Sequence, residues 1–185
     1  MTPKASDAED TTLPETLQLA LAAVVIAAAV SDLKTGRIPN WITAPGAVLG
    51  LALQSYYGGF QGALSSLVGA ALGLGIFMVL YLAGGMGAGD VKLFGAVGTL
   101  VGPQSLVWVF IFTGLLGGIA AIALAMAHGR LRQTLAQTGH LMLSFGKLRW
   151  EETRQASSLH APGALRLPYG AVIAGGALLF LVFHP

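Results

Sequence analysis

Two aspartates stand alone in the apolar part of the sequence. Between Thr16 and Trp150 the only acidic residues are Asp32 and Asp90. A charged Asp in the middle of a membrane helix costs about 2.5–3.5 kcal/mol on insertion scales, so an acid kept there has a partner or a task. Two carboxylates in contact cannot both ionise easily. They share a proton, so that one activates a water while the other donates to a scissile carbonyl or leaving amine, which is the chemistry of aspartic peptidases. Taken singly, each acid has the blander use of capping a helix or pairing with Lys34, Arg37 or Lys92. Other hydrolytic patterns do badly: HExxH needs a glutamate that this stretch lacks, and no GxSxG occurs. His128, His140, His160 and His184 are dispersed without metal-ligand spacing, and there is no cysteine for a thiolate nucleophile or metal site. The expected chemistry uses neither metal nor cofactor.

The elements that must carry these acids are membrane helices. Of 185 residues, 55% are hydrophobic and only 10% charged, with 26 glycines; soluble domains carry roughly 25% charge. Apolar runs approaching the roughly 20 residues that cross a hydrocarbon core are spread along the whole chain, so a single membrane domain over 1–185 is expected. The predicted fold is an all-α polytopic bundle of six transmembrane helices, at 14–33, 41–57, 62–83, 91–102, 104–127 and 167–184. Residues 1–13 read as a disordered acidic tail, with Asp7, Glu9 and Asp10 against Lys4, the opposite of a secretory leader. The connection 128–166 repeats Leu131, Leu135, Met142 and Phe145 on one face among basic residues and reads as an interfacial helix on the cytoplasmic leaflet. Small-residue pairs such as Gly46/Gly50, Gly69/Gly73 and Gly114/Gly118 read as helix-packing positions.

Charge gives the sides. Every basic residue except Lys4 falls after the first, third or fifth span, as positive-inside orientation requires, and both termini then lie outside. The net charge of +2 therefore points to membrane orientation and not to nucleic acid. Both aspartates sit at span boundaries on the basic face. The twelve residues 91–102 rise only about 18 Å, so a Gly102–Pro103 break at the outer surface would leave Asp90 roughly 12 Å below the cytoplasmic face. A glycine-rich re-entrant or broken-helix segment, Gly84-Gly85-Met86-Gly87-Ala88-Gly89, would lead to it. Asp32, about 27 Å along span one from Pro14, then lies nearer the surface, and the two depths disagree.

The residues around both acids resemble a known family. Asp32-Leu33-Lys34-Thr35-Gly36-Arg37-Ile38-Pro39-Asn40, Gly87-Ala88-Gly89-Asp90-Val91-Lys92-Leu93 and Leu167-Pro168-Tyr169-Gly170 look like the three signatures of the type IV prepilin peptidases, which are GxGD-type intramembrane aspartic peptidases. The resemblance implies a catalytic pair at Asp32 and Asp90 that cleaves basic leaders from pilin-like precursors at the cytoplasmic face of the inner membrane. It also implies supporting roles for Gly87 and Gly89 in the backbone, Lys92 beside the pair, and Pro39 and Asn40 in the turn into span two. The substrate partner is a prepilin, held within the lipid bilayer. Without the paired-cysteine domain of the larger bifunctional members, methylation of the new terminus is not expected, and the short form resembles the peptidases of tight-adherence (Flp-type) pili. Two rivals remain at this stage: a proton- or cation-coupled transporter subunit using Asp32 and Asp90, and a non-catalytic pilus assembly partner. The first explains the embedded acids but not the Pro-Asn and LPYG signatures.

Overall fold

A computed structural model describes residues 13–83, 85–127 and 168–183. The expected acidic tail, apart from Leu13, and the connection 128–166 lie outside the described residues. Within them the regular structure is helical: α1 (Glu15–Thr35), α2 (Asn40–Leu82), α3 (Ala88–Ala127) and α4 (Tyr169–Phe183). Three of these, α1, α2 and α3, are long and apolar enough to cross a membrane, and α4 is a shorter apolar helix of 15 residues.

Helices α2 and α3 do not run straight. Gly59 (φ 56°, ψ −136°) interrupts α2 and Gly102 (φ 73°, ψ 174°) interrupts α3. Both are fold-backs. Phe94 and Phe110, sixteen residues apart, would be separated by about 24 Å along a straight helix, yet their ring centroids are 6.2 Å apart. Likewise a side chain at Gly62 would collide with the Gln54 carbonyl across the first break. Gly102 has a backbone conformation essentially restricted to glycine, and Pro103 follows where its missing N–H is not needed, at the first position of a new helical run. The described chain is thus a series of antiparallel rods, with breaks where the sequence placed the connections 57–62 and 102–104.

The Gly102 break is enclosed by protein. Gly102 is buried, Gln54 Nε2 donates to the Leu100 carbonyl at 2.9 Å, and Ser65 Oγ lies against Gly102. A carbonyl freed at a helix break in an apolar medium costs several kcal/mol when unsatisfied; Gln54 meets that need internally. The first half of α3 thus ends packed against α2.

Small residues set how closely the rods approach, because lipid tails give no hydrophobic drive for helix association. Side chains at Gly69 or Gly98 would collide with the other's carbonyl, and Gly73 packs on the Phe94 backbone. Ser66 Oγ crosses the same seam to the Thr99 carbonyl at 2.9 Å, a bond worth about 0.6 kcal/mol. Gly46 meets Val24 of α1 and Gly50 meets Thr99. The third expected pair differs: Gly114 and Gly118 touch nothing among the described residues, and α3 packs on α4 through Gly117, Gly175 and Gly176 instead. The buried core is aliphatic with a Phe77–Phe94 stack (centroids 3.9 Å apart), while Leu19, Ile26, Val48, Leu64, Leu115 and Ile119 are exposed. An apolar exterior of this extent is the surface of an integral membrane protein.

Candidate active site

Asp32 lies in the last turn of α1, which ends in a left-handed Gly36 (φ 63°) whose N–H returns to the Asp32 carbonyl at 2.7 Å. This closure is the usual glycine C-cap. The next residues are held tightly. Ser31 Oγ donates to the Arg37 carbonyl at 3.0 Å, and Thr35 Oγ1 to the Ser31 carbonyl at 2.8 Å with the Arg37 carbonyl at 3.2 Å. The Asp32 side chain is aimed away from its own helix: Oδ2 accepts the Gly170 N–H at 2.8 Å. Gly170 is the second residue of α4 after Pro168, so its N–H is among those that a helix start leaves without an internal partner. Asp32 therefore caps another helix in trans.

Asp90 is the third residue of α3. Its Oδ2 accepts the Gly87 N–H at 3.0 Å while its own N–H donates to the Gly87 carbonyl at 3.1 Å. This is the reaching-back half of a capping box, with Asp in the place of Glu. The bland role foreseen from sequence is thus real. It does not explain the burial, because Asp90 is only 8% exposed. A cap contributes about 1 kcal/mol, whereas the effective penalty for taking an ion out of water is several kcal/mol. Capping alone would favour an exposed carboxylate.

The two seats meet around Ile38. A methyl group placed on Gly89 would lie 3.2 Å from Ile38 Cβ, and one on Gly170 would lie 2.8 Å from Ile38 Cδ1 and 2.9 Å from Asp32 Cβ and Oδ2. One buried side chain thus touches the residue before Asp90 and the residue that holds Asp32. The half-buried Tyr169 opens α4 directly before Gly170. Each carboxylate is anchored through Oδ2, and among the described residues neither Oδ1 has a hydrogen-bond partner. Two carboxyl groups presented this way leave an oxygen each for a water and a substrate.

The other residues singled out in the sequence divide. Gly87 supplies the N–H to Asp90, and Gly89 supplies the closeness to Ile38. Pro39 precedes the first residue of α2, Asn40, whose Oδ1 accepts from Lys92 Nζ at 3.0 Å. Lys92 is exposed and clasps the starts of α2 and α3 to each other. Sequence reasoning gave no role to Gly170, Tyr169 or Ile38. The LPYG run flagged the first two, and Ile38 stood unremarked between Asp32 and Pro39. No group of three or more His, Cys, Asp or Glu residues placed to hold a metal ion occurs among the described residues.

No solved structure matches the chain. The prepilin leader peptidase/N-methyltransferase of Neisseria gonorrhoeae is 33% identical over 119 residues, covering 60% of this chain and 41% of the relative. That of Bacillus subtilis is 35% identical over 117 residues, covering 58% of this chain and 44% of the relative. The chain therefore spans less than half the length of these curated relatives. Residues 19–122, more than half of the 185, match the type IV leader peptidase family and contain both Asp32 and Asp90. The chain belongs to the type IV leader peptidase family.

Proposed function

We propose that the protein is an intramembrane aspartic endopeptidase that removes the leader from type IV prepilin-like precursors, with Asp32 and Asp90 as its catalytic pair. The observation that carries this reading is the buried Asp90 and the trans-held Asp32 converging on Ile38 within a chain of this family. In the reaction one ionised carboxylate takes a proton from a water whose oxygen attacks the scissile carbonyl carbon. The protonated partner donates to the carbonyl oxygen, and collapse breaks the C–N bond as the leaving amine takes up a proton. Fixed Oδ2 atoms leave Oδ1 of each group to do this work. Gly87, Gly89, Pro39 and Asn40 hold the backbone, and Lys92 secures the adjoining helix starts.

The six rods cross the inner membrane in this proposal, with both termini outside and the site at the cytoplasmic boundary. Exposed Lys34, Arg37 and Lys92 gather at the site end, in keeping with positive-inside orientation. Exposed Trp41 at that end, and exposed Tyr56 and Phe60 at the other, have the placement of interfacial aromatic belts. Buried Met86 supports a glycine-rich turn, between α2 and α3, recessed from the cytoplasmic surface. A substrate that is an apolar helix with a basic leader would dock laterally and present its junction there.

Co-expression with a pilin-like precursor tests the reading. Wild type should yield a smaller, leaderless product, and Asp32→Asn or Asp90→Asn should leave the precursor intact. Unchanged processing in either variant would remove the proposed pair. A proton flux lost in those variants while cleavage persists would favour the transporter reading.

A further inference from the structure

The connection between α1 and α2 is short, and its only buried side chain is Ile38, 9% exposed. The surrounding residues clamp it. Gly36 turns the chain out of α1, and the hydroxyls of Ser31 and Thr35 converge on the Arg37 carbonyl immediately before Ile38. Pro39 then fixes the exit, with φ −76°, into α2. Ile38 itself is β-branched and stiff at χ1. Different parts of the residue meet the two seats: Cβ and the backbone face Gly89, and Cδ1 faces Gly170. Both neighbours are glycines at which an added methyl group would crowd Ile38.

We infer that Ile38 is the positioning residue of the pair, a wedge that sets the separation of Asp32 and Asp90 by spacing the Asp32-holding start of α4 from the Asp90-bearing start of α3. This rests on the proposed peptidase reading and adds to it a residue that touches neither water nor peptide bond. The wedge works through position: a shift near 1 Å in a reacting group can cost about a hundredfold in rate. Two carboxylates that must share one proton are especially sensitive to their spacing. Ile38→Val removes only the Cδ1 contact with Gly170, whereas Ile38→Ala also strips Cγ1 and Cγ2 and leaves Cβ beside Gly89.

The test is steady-state cleavage of a synthetic pilin-like precursor by the full chain reconstituted in phospholipid vesicles, with thermal unfolding measured on the same samples. Ile38→Ala should lower kcat by about tenfold to a hundredfold with KM within about twofold of wild type. Ile38→Val should fall between the two. Val25→Ala, at a fully buried position on α1, is the control; it should lower thermal stability and leave kcat near wild type. Wild-type kcat in Ile38→Ala would overturn the inference, as would a kcat loss no larger than that of Val25→Ala at matched destabilisation. Should Ile38→Ala not fold, Ile38→Val decides alone: a lowered kcat at unchanged KM supports the wedge, and a wild-type kcat removes it. The Asp→Asn variants separate the two failures. If they are inactive while Ile38→Ala cleaves normally, only the wedge falls; if they cleave, the catalytic pair itself falls.

Discussion

Asp32 and Asp90 are held by the same kind of donor, a backbone N–H at the start of a helix, yet their seats are built differently. Asp90 is seated locally, by Gly87 three residues earlier in the same turn. Asp32 is seated by Gly170, 138 residues away, at the start of a different helix. A local seat forms whenever the turn forms. A tertiary seat forms only when α1 and α4 are packed together.

The contrast predicts unequal damage. Of the two seats, Gly170→Ala is expected to do the larger damage, because its methyl group would lie 2.9 Å from Asp32 Cβ and Oδ2; leader cleavage should drop by about a hundredfold or more. Gly87→Ala meets Asp90 Oδ2 at 3.3 Å and the Gly89 nitrogen at 4.0 Å, and its N–H survives, so the loss should stay below about tenfold. Equal losses would erase the distinction between the seats.

Gly102→Ala comes next. It and Gly59→Ala both force a positive-φ conformation that costs about 1–3 kcal/mol for any other residue, but Gly102→Ala also crowds Ser65 Oγ, whereas Gly59→Ala at the exposed break meets nothing within 4 Å. Thermal unfolding in detergent should show the larger drop for Gly102→Ala. Because α3 carries α4 through Gly117, Gly175 and Gly176, its cleavage rate should also fall, through the Asp32 seat. The smallest effect is expected at Lys92→Gln, which loses one exposed bond to Asn40. Such contacts are worth less than about 1 kcal/mol, so kcat/KM should change by no more than about threefold. A loss near a hundredfold would instead place Lys92 in the reaction.

The local seat was far more legible in the sequence than the tertiary one. Gly87 and Asp90 lie within one turn, so spacing alone places them together, and the breaks at Gly59 and Gly102 follow from Gly-Gly and Gly-Pro pairs in apolar runs. The bond from Gly170 to Asp32 depends on how α4 returns to α1, which no periodicity encodes; only the LPYG signature marked it. How the Gly102 break is satisfied was not legible either, because the Gln54 amide that meets the Leu100 carbonyl comes from α2, 46 residues away. Gly114 and Gly118 have packing spacing but face outward, because spacing states a capacity for close approach and not the presence of a neighbour.

Leader cleavage measured for Asp32→Asn, Asp90→Asn and the double variant tests the central claim most directly. Groups that act as one unit are grossly non-additive. Each single variant should therefore lose nearly as much rate as the double, at least about a thousandfold. Two partial losses that multiply to give the double variant, or a wild-type rate in either single one, would show that Asp32 and Asp90 do not work as a pair.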